Sequence, residues 1–293
     1  MSDNENAART AVVTGASSGI GKATAEAFAR MGWNVIGTGR HPDRTENAKM
    51  QLRAAAKNGA RIHMLRGDFC EMADVTRIAG EIAQLTDRID VLVNNAGGVR
   101  DQRYVSSEGV EATMAANHYA TFLLTRELMP ILRQTAVQQE AGAVRVITVS
   151  SEAHRYCQAM RMGDLDWDEG YSAGGIYCQA KLANLLFGRE LARRAQADGI
   201  VSLVMHPGVV DSNFWEHGDA GMKANGAGRD DMVGPESPAR TIVWLATAKE
   251  HGTASGGYFY DMAEEEPAAQ GLDAEAAQAL WTATENRLAS IGF

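Results

Sequence analysis

At 293 residues, with 45% hydrophobic and 22% charged residues, the chain has an ordinary soluble globular composition and enough length to bury a full core. Its net charge of -9 argues against a surface for nucleic acid or anionic membrane, because both require clustered Lys and Arg. Cys70, Cys157 and Cys178 are odd in number and spaced for neither a disulfide framework nor a zinc site, so a reducing, cytoplasmic setting without a metal centre is expected. Residues 1–8 are polar and acidic and read as a disordered tail, and no stretch approaches the ~20 apolar residues of a membrane span.

Residues 10–14 form a β-branched run ended by Gly15, and Ile20, Ala23, Ala27 and Phe28 predict an amphipathic helix over 19–31. Between them Gly15, Ser17, Ser18, Gly19, Ile20 and Gly21 form a turn whose glycines allow close backbone approach. The helix start behind it offers free N–H groups to a pyrophosphate. The G-x-x-x-G-x-G spacing is one residue longer than the usual dinucleotide fingerprint. It is not a P-loop, because Ile20 stands where the second glycine belongs and Ala23 follows Lys22.

Strands over 34–38, 62–66 and 90–93 then alternate with helices over 47–57 and 72–85, which predicts an α/β fold with a parallel, doubly wound sheet. Such sheets bind nucleotides at the carboxyl ends of their strands. There Gly39-Arg40 replaces the acidic residue of an NAD-specific site: the glycine leaves room beside a ribose, and the arginine suits a 2′-phosphate, pointing to NADP. Asp68, after the third strand, would accept from an adenine amino group, cap the next helix, or do both.

Asn94, Asn95, Ala96 and Gly97 follow the fourth strand, small and polar where the backbone turns under a ligand. A long helix over 108–132 carries Asn117, a polar group that needs a hydrogen-bond partner. Strand 144–149 ends in Ser150-Ser151, and strand 200–205 ends in His206-Pro207-Gly208. Tyr177 and Lys181 lie four residues apart on a predicted helix, hence on one face. A free phenol ionises near ~10, and a neighbouring ammonium favours the phenolate and brings it toward neutral pH, the chemistry of a tyrosine acid/base.

Taken together, Thr14-Gly15-x3-Gly19-x-Gly21, Asn94-Asn95-Ala96-Gly97, Asn117, Ser150-Ser151, Tyr177-x3-Lys181 and Pro207-Gly208 resemble the short-chain dehydrogenase/reductase family of single-domain type over residues 9–262. Asn117-His118, Ser150-Ser151-Glu152-Ala153-His154 and the residues around Tyr177 look like its retinol-dehydrogenase-like branch, which includes the WW-domain oxidoreductases. The resemblance implies a Rossmann-type sheet of seven parallel strands in the order 3-2-1-4-5-6-7, with a C-terminal helical extension over 263–293.

It further implies a tetrad. Tyr177 would be the general acid in reduction and the base in oxidation; Lys181 would hold the ribose hydroxyls and lower the tyrosine pKa. Ser151 would hydrogen-bond the substrate oxygen as charge develops, and Asn117 would bind a water leading from Lys181 to solvent. NADP contacts would come from Gly15 to Gly21, Arg40, Asp68, Phe69, Asn95, Ala96, Gly97, Tyr177, Lys181, Pro207, Gly208, Val210 and Ser212. The spacing 177 - 151 = 26 exceeds the dozen or so of many members, through an insertion over 155–174 that would overhang the catalytic end. The loop 213–234, with Phe214 and Trp215 among glycines, has the profile of a mobile lid.

The reading is an NADP(H)-dependent carbonyl reductase or alcohol dehydrogenase for a lipophilic retinoid-, steroid- or polyketide-like substrate. Binding-only or non-redox use of the scaffold is the alternative. A homodimer pairing helices 108–132 and 176–196 is also expected, the alternative being that the tail 263–293 covers that surface or another one.

Overall fold

The computed structural model describes residues 8–211, 214, 218–226 and 229–293. β1 (Thr10–Val13), β2 (Asn34–Gly39), β3 (Ile62–Arg66), β4 (Val91–Asn94), β5 (Val144–Val149), β6 (Ile200–Met205) and β7 (Tyr258–Tyr260) pair in parallel in the order β3-β2-β1-β4-β5-β6-β7. To the expected seven the structure adds β8 (Ala263–Glu264), antiparallel to β7 at the sheet edge. Asp261 and Met262 between them have φ of 41° and 61°, the paired positive values of a type I′ hairpin turn. The extension therefore begins as a strand that doubles back along the sheet.

The helices are α1 (Gly19–Arg30), α2 (Pro42–Ala55), α3 (Met72–Leu85), α4 (Ala112–Met114), α5 (Ala120–Val137), α6 (Ala173–Ala195), α7 (Ala220–Gly226), α8 (Glu236–Thr247) and α9 (Ala274–Ser290). Phe28 of α1, Leu52 of α2 and Ile242 and Leu245 of α8 bury against one face of the sheet. Ile78 and Ile82 of α3, Leu124 and Leu128 of α5 and Leu186 of α6 bury against the other. α2 starts five residues earlier than position 47, since Pro42 sits in its first turn, where the missing N–H costs nothing.

The helix expected over 108–132 is interrupted. Glu111 caps α4 by accepting from the Met114 amide at 2.8 Å, and a π-helical turn, Ala115–Tyr119, separates α4 from α5. Such turns displace one residue out of the regular ladder and recur at functional sites. Here the displaced turn carries Asn117.

α9 forms a third layer. Its Trp281 ring lies edge-on to Phe122 of α5 at 4.7 Å and stacks on Phe187 of α6 at 5.8 Å, while Thr284 Oγ1 meets His118 Nε2 at 2.8 Å. From Ile176 to Ala192 no residue of α6 is exposed within the single chain. The tail 263–293 thus covers the α6 side of the expected pairing face, the alternative to a two-fold pair through helices 108–132 and 176–196.

The insertion is also fastened more firmly than an overhang. The Gln179 side chain accepts from the Arg161 amide and donates to the Leu165 carbonyl, both at 3.0 Å. The Trp167 indole packs where Gly175 lacks a side chain; a Cβ there would overlap the ring. Among the described residues, no helix is long and apolar enough to cross a membrane.

Candidate active site

The glycine turn joins β1 to α1 with the backbone packed tight. Gly15 has φ of 69°, and a Cβ on it would lie 3.0 Å from Asn95 Nδ2. A Cβ on Gly21 would overlap the Gly15 carbonyl. Gly19, with φ of 52°, has nothing within 4 Å of its Cβ position, so its side faces open space. Ser18 at the N-cap gives α1 no side-chain cap, and the first turn holds no acidic residue. Uncapped amides, a positive dipole end and an open glycine floor fit a pyrophosphate. Thr14 locks this turn to the next strand end: its Oγ1 accepts from the Asn95 and Ala96 amides at 2.8 Å, and Asn95 Nδ2 donates to its carbonyl at 2.8 Å.

At the adenosine side, Arg40 follows β2 and lines one cleft with Arg66, Asp68 and Arg77. Its side chain is 51% exposed and 3.6 Å from Asp68. An exposed pair of this kind contributes at most about 1 kcal/mol, too little to keep the guanidinium from a phosphate. Asp68 Oδ1 accepts from the Cys70 amide at 3.0 Å, making a local turn and not the cap of α3. Glu71 is the N-cap residue there, and Glu108 takes the Met72 and Ala73 amides at 2.7 and 2.8 Å. The Phe69 side chain is buried in the core, so only its backbone is left to face a ligand.

Gly39 corrects an expectation. It leaves no room beside a ribose: a Cβ would overlap Thr45 Oγ1 and lie 2.7 Å from Ser17 Cβ.

At the other end the two serines after β5 divide. Ser150 is buried and donates to the Lys181 carbonyl at 2.7 Å, which ties β5 to α6. Ser151 stays partly exposed and N-caps a 3₁₀ turn, Glu152–Tyr156, its Oγ accepting from the Ala153 amide at 3.1 Å. That bond occupies a lone pair and leaves the hydroxyl proton free to donate.

On α6, Lys181 is buried and donates to the Val149 carbonyl at 3.3 Å, with Nζ 5.5 Å from the centre of the Tyr177 ring. Burial pushes the ammonium down to about 8. Burial also pushes the Tyr177 phenol up, the Ser151 hydroxyl opposing it. The lowered tyrosine pKa expected from the neighbouring lysine is thus not what this environment produces, desolvation being the largest influence on the phenol. Tyr177 is flanked by Phe214, ring centres 5.1 Å apart.

Asn117 Nδ2 donates to the Thr113 and Gly98 carbonyls, both at 2.7 Å, and its Oδ1 accepts from the Gly98 amide at 3.1 Å. Both amide hydrogens are spent on backbone, so a water relay from Lys181 cannot use them. The side chain instead splints the Gly97-Gly98 turn to the π-helical segment. A Cβ on Gly97 would overlap Asn117 Oδ1 and lie 3.6 Å from Lys181 Nζ, so this glycine keeps the floor clear between them.

After β6, Gly208 has φ of 70° and lies against the Tyr260 ring. Val210 bridges in parallel to Val233, anchoring the far end of the 213–234 loop, and the Asp211 amide donates to the Val233 carbonyl at 3.0 Å. Ser212 and Trp215 lie outside the described residues.

Gln179 and Glu111 were not singled out from the sequence. The only signal for Gln179 is a polar residue inside the buried stripe of α6, and Glu111 is an uncommon N-cap type.

A phenol, an ammonium and a hydroxyl gathered at the carboxyl edge of such a sheet are the equipment of an oxidoreductase that binds a dinucleotide. The family described as short chain dehydrogenase matches residues 9–222, and the chain belongs to it. Human retinol dehydrogenase 13 is 33% identical over 280 residues, covering 93% of this chain and 82% of the relative. Mouse polyprenol dehydrogenase is 36% identical over 281 residues, covering 93% and 82%. Among solved structures, the Pseudomonas aeruginosa RhlG/NADP active-site complex has a TM-score of 0.68 and 26% identity, covering 88% of this chain and 97% of that one.

Proposed function

We propose that the chain transfers hydride between NADP(H) and a lipophilic ketone, aldehyde or alcohol. Bound nicotinamide would supply or take the hydride. The observation that carries the reading is the convergence of Ser151, Tyr177 and Lys181 beside a clear glycine floor. Tyr177 moves the proton at the substrate oxygen, Ser151 donates to that oxygen as it gains charge, and Lys181 holds the ribose. Gly15 to Gly21 and the α1 N-terminus hold the pyrophosphate, with Asn95, Ala96, Gly97 and the Pro207–Val210 turn closing the sides. Arg40 supports NADP over NAD, since no carboxylate ends β2. A lipophilic substrate is supported by Phe214 against Tyr177 and by the named activities of the retinol and polyprenol dehydrogenase relatives. A cytoplasmic location is part of the reading, supported by the three free cysteines, which suit a reducing compartment. The test is loss of NADPH absorbance across a panel of retinoid, prenyl and polycyclic carbonyls. Tight NADPH binding with no turnover on any of them would overturn the reading in favour of a binding-only role.

A further inference from the structure

We propose that His154 is the positioning residue for Ser151 and that it is itself held by the segment following the β7–β8 hairpin. The inference rests on the reading of Ser151 as the donor to the substrate oxygen. The Ser151 carbonyl accepts the His154 backbone amide at 3.1 Å and meets the ring Nδ1 at 2.8 Å. Together with the Ala153 amide on Oγ, this pins the serine on both sides. For Nδ1 to donate to a carbonyl it must carry the proton, which leaves Nε2 bare to accept; the Ala268 amide donates to it at 3.1 Å. The ring is fully buried, edge-on to Tyr258 at 5.2 Å. The Ser151 carbonyl and the Ala268 amide thus select one neutral tautomer, with which the Tyr258 hydroxyl, 3.3 Å from Nδ1, is compatible as a second acceptor.

The strap that supplies Ala268 is fastened on both sides. Glu265 pairs with Arg155 at 2.5 Å and with His206 Nε2 at 2.9 Å, and Gln270 Nε2 donates to the Cys157 carbonyl at 2.8 Å. Arg155 and Cys157 belong to the turn that Ser151 begins, and His206 precedes Pro207-Gly208. One carboxylate therefore ties the serine turn to the loop on the opposite wall of the site.

The test is a double-mutant cycle on the full chain with NADPH and a reducible ketone from the panel. His154→Asn keeps an N–H near the Nδ1 position, whereas His154→Gln keeps an acceptor near Nε2 and loses the donor to Ser151. His154→Gln should lower kcat by about ten- to a hundredfold, the scale of a small misplacement of a reacting group, with NADPH affinity unchanged. His154→Asn should recover most of it. In a Ser151→Ala background the same changes should cost less than about twofold, since the group they position is gone. Wild-type turnover in Ser151→Ala would sink the reading of the serine itself. Strong loss in Ser151→Ala with an undiminished further loss from His154→Gln would sink the positioning alone. Ala268→Pro guards against misfolding of ring variants: it removes only the N–H on Nε2, at a residue whose φ of -62° suits proline. It should lower kcat by about threefold, and an unchanged kcat would overturn the part assigned to the strap.

Discussion

Around Tyr177 the polar groups are buried and committed: Lys181 to the Val149 carbonyl, Ser150 to the Lys181 carbonyl, Asn117 to Gly98 and Thr113. Around Arg40 they are exposed and loosely paired, with 3.6 Å to Asp68. The first region sets charge states by desolvation and holds atoms in place; the second offers a screened charge that a ligand can borrow. Chemistry should therefore respond sharply and without regard to salt at one end, and cofactor choice weakly and with salt at the other.

The largest effect expected is that of Tyr177→Phe, which removes the proton carrier and should lower kcat by at least ~10²-fold with NADPH affinity near wild type. Stopped-flow turnover checks it, and retention of most of the rate would break the contrast at its root. Gly39→Asp should cost roughly 1–3 kcal/mol of stability by overlap with Thr45 and Ser17, without conferring a preference for NADH. Thermal unfolding and a cofactor comparison read both arms. Arg40→Ala should reduce the NADPH/NADH ratio of kcat/KM by about tenfold, and by less at high salt, since a half-exposed guanidinium is worth little more than 1.4 kcal/mol. An unchanged ratio would mean that the exposed end plays no part in cofactor choice.

The smallest effect concerns pH. Burial lowers Lys181 to about 8 from an ordinary 10.5, so the neutral amine appears as pH rises through 8. Alcohol oxidation needs a proton acceptor, so its kcat/KM should rise severalfold through that limb, which belongs to the Tyr177–Lys181 pair, while ketone reduction falls. Lys181→Arg, charged throughout, should remove the limb; a limb persisting near 8 would assign it elsewhere.

Much of this was legible in residue order because it is local. β3, α3, β5 and β6 fall on the expected residues, each bounded by glycine or polar turn residues. Tyr177 and Lys181 could be picked out because a spacing of four puts them on one helix face, and Ser151 over Ser150 only through the family resemblance. What stayed hidden depends on distant partners. The π-turn at Asn117 has no composition of its own; Gly39 reads as space until Thr45 is seen to fill it. That Gln179 clamps the insertion, and that α9 covers α6, follow from packing between segments far apart in the chain. Light scattering at micromolar concentration should find a monomer; a two-fold pair built through α6 would require α9 to leave it.

The strap has a further consequence for how the protein is made. Ala268, Gln270 and Trp281 leave the ribosome after every other part of the site, so a chain stopped at Met262 would carry all the recognisable motifs and still be unfinished. Its His154 ring would lack the Ala268 amide, the Cys157 carbonyl its Gln270 partner, and Phe122 and Phe187 would stand uncovered. Such a fragment would meet chaperones and proteases as exposed apolar surface and not as a slow enzyme. Residues 263–293 thus join the setting of the Ser151 turn and the covering of α5 and α6 in one segment, so that losing it would cost both at once.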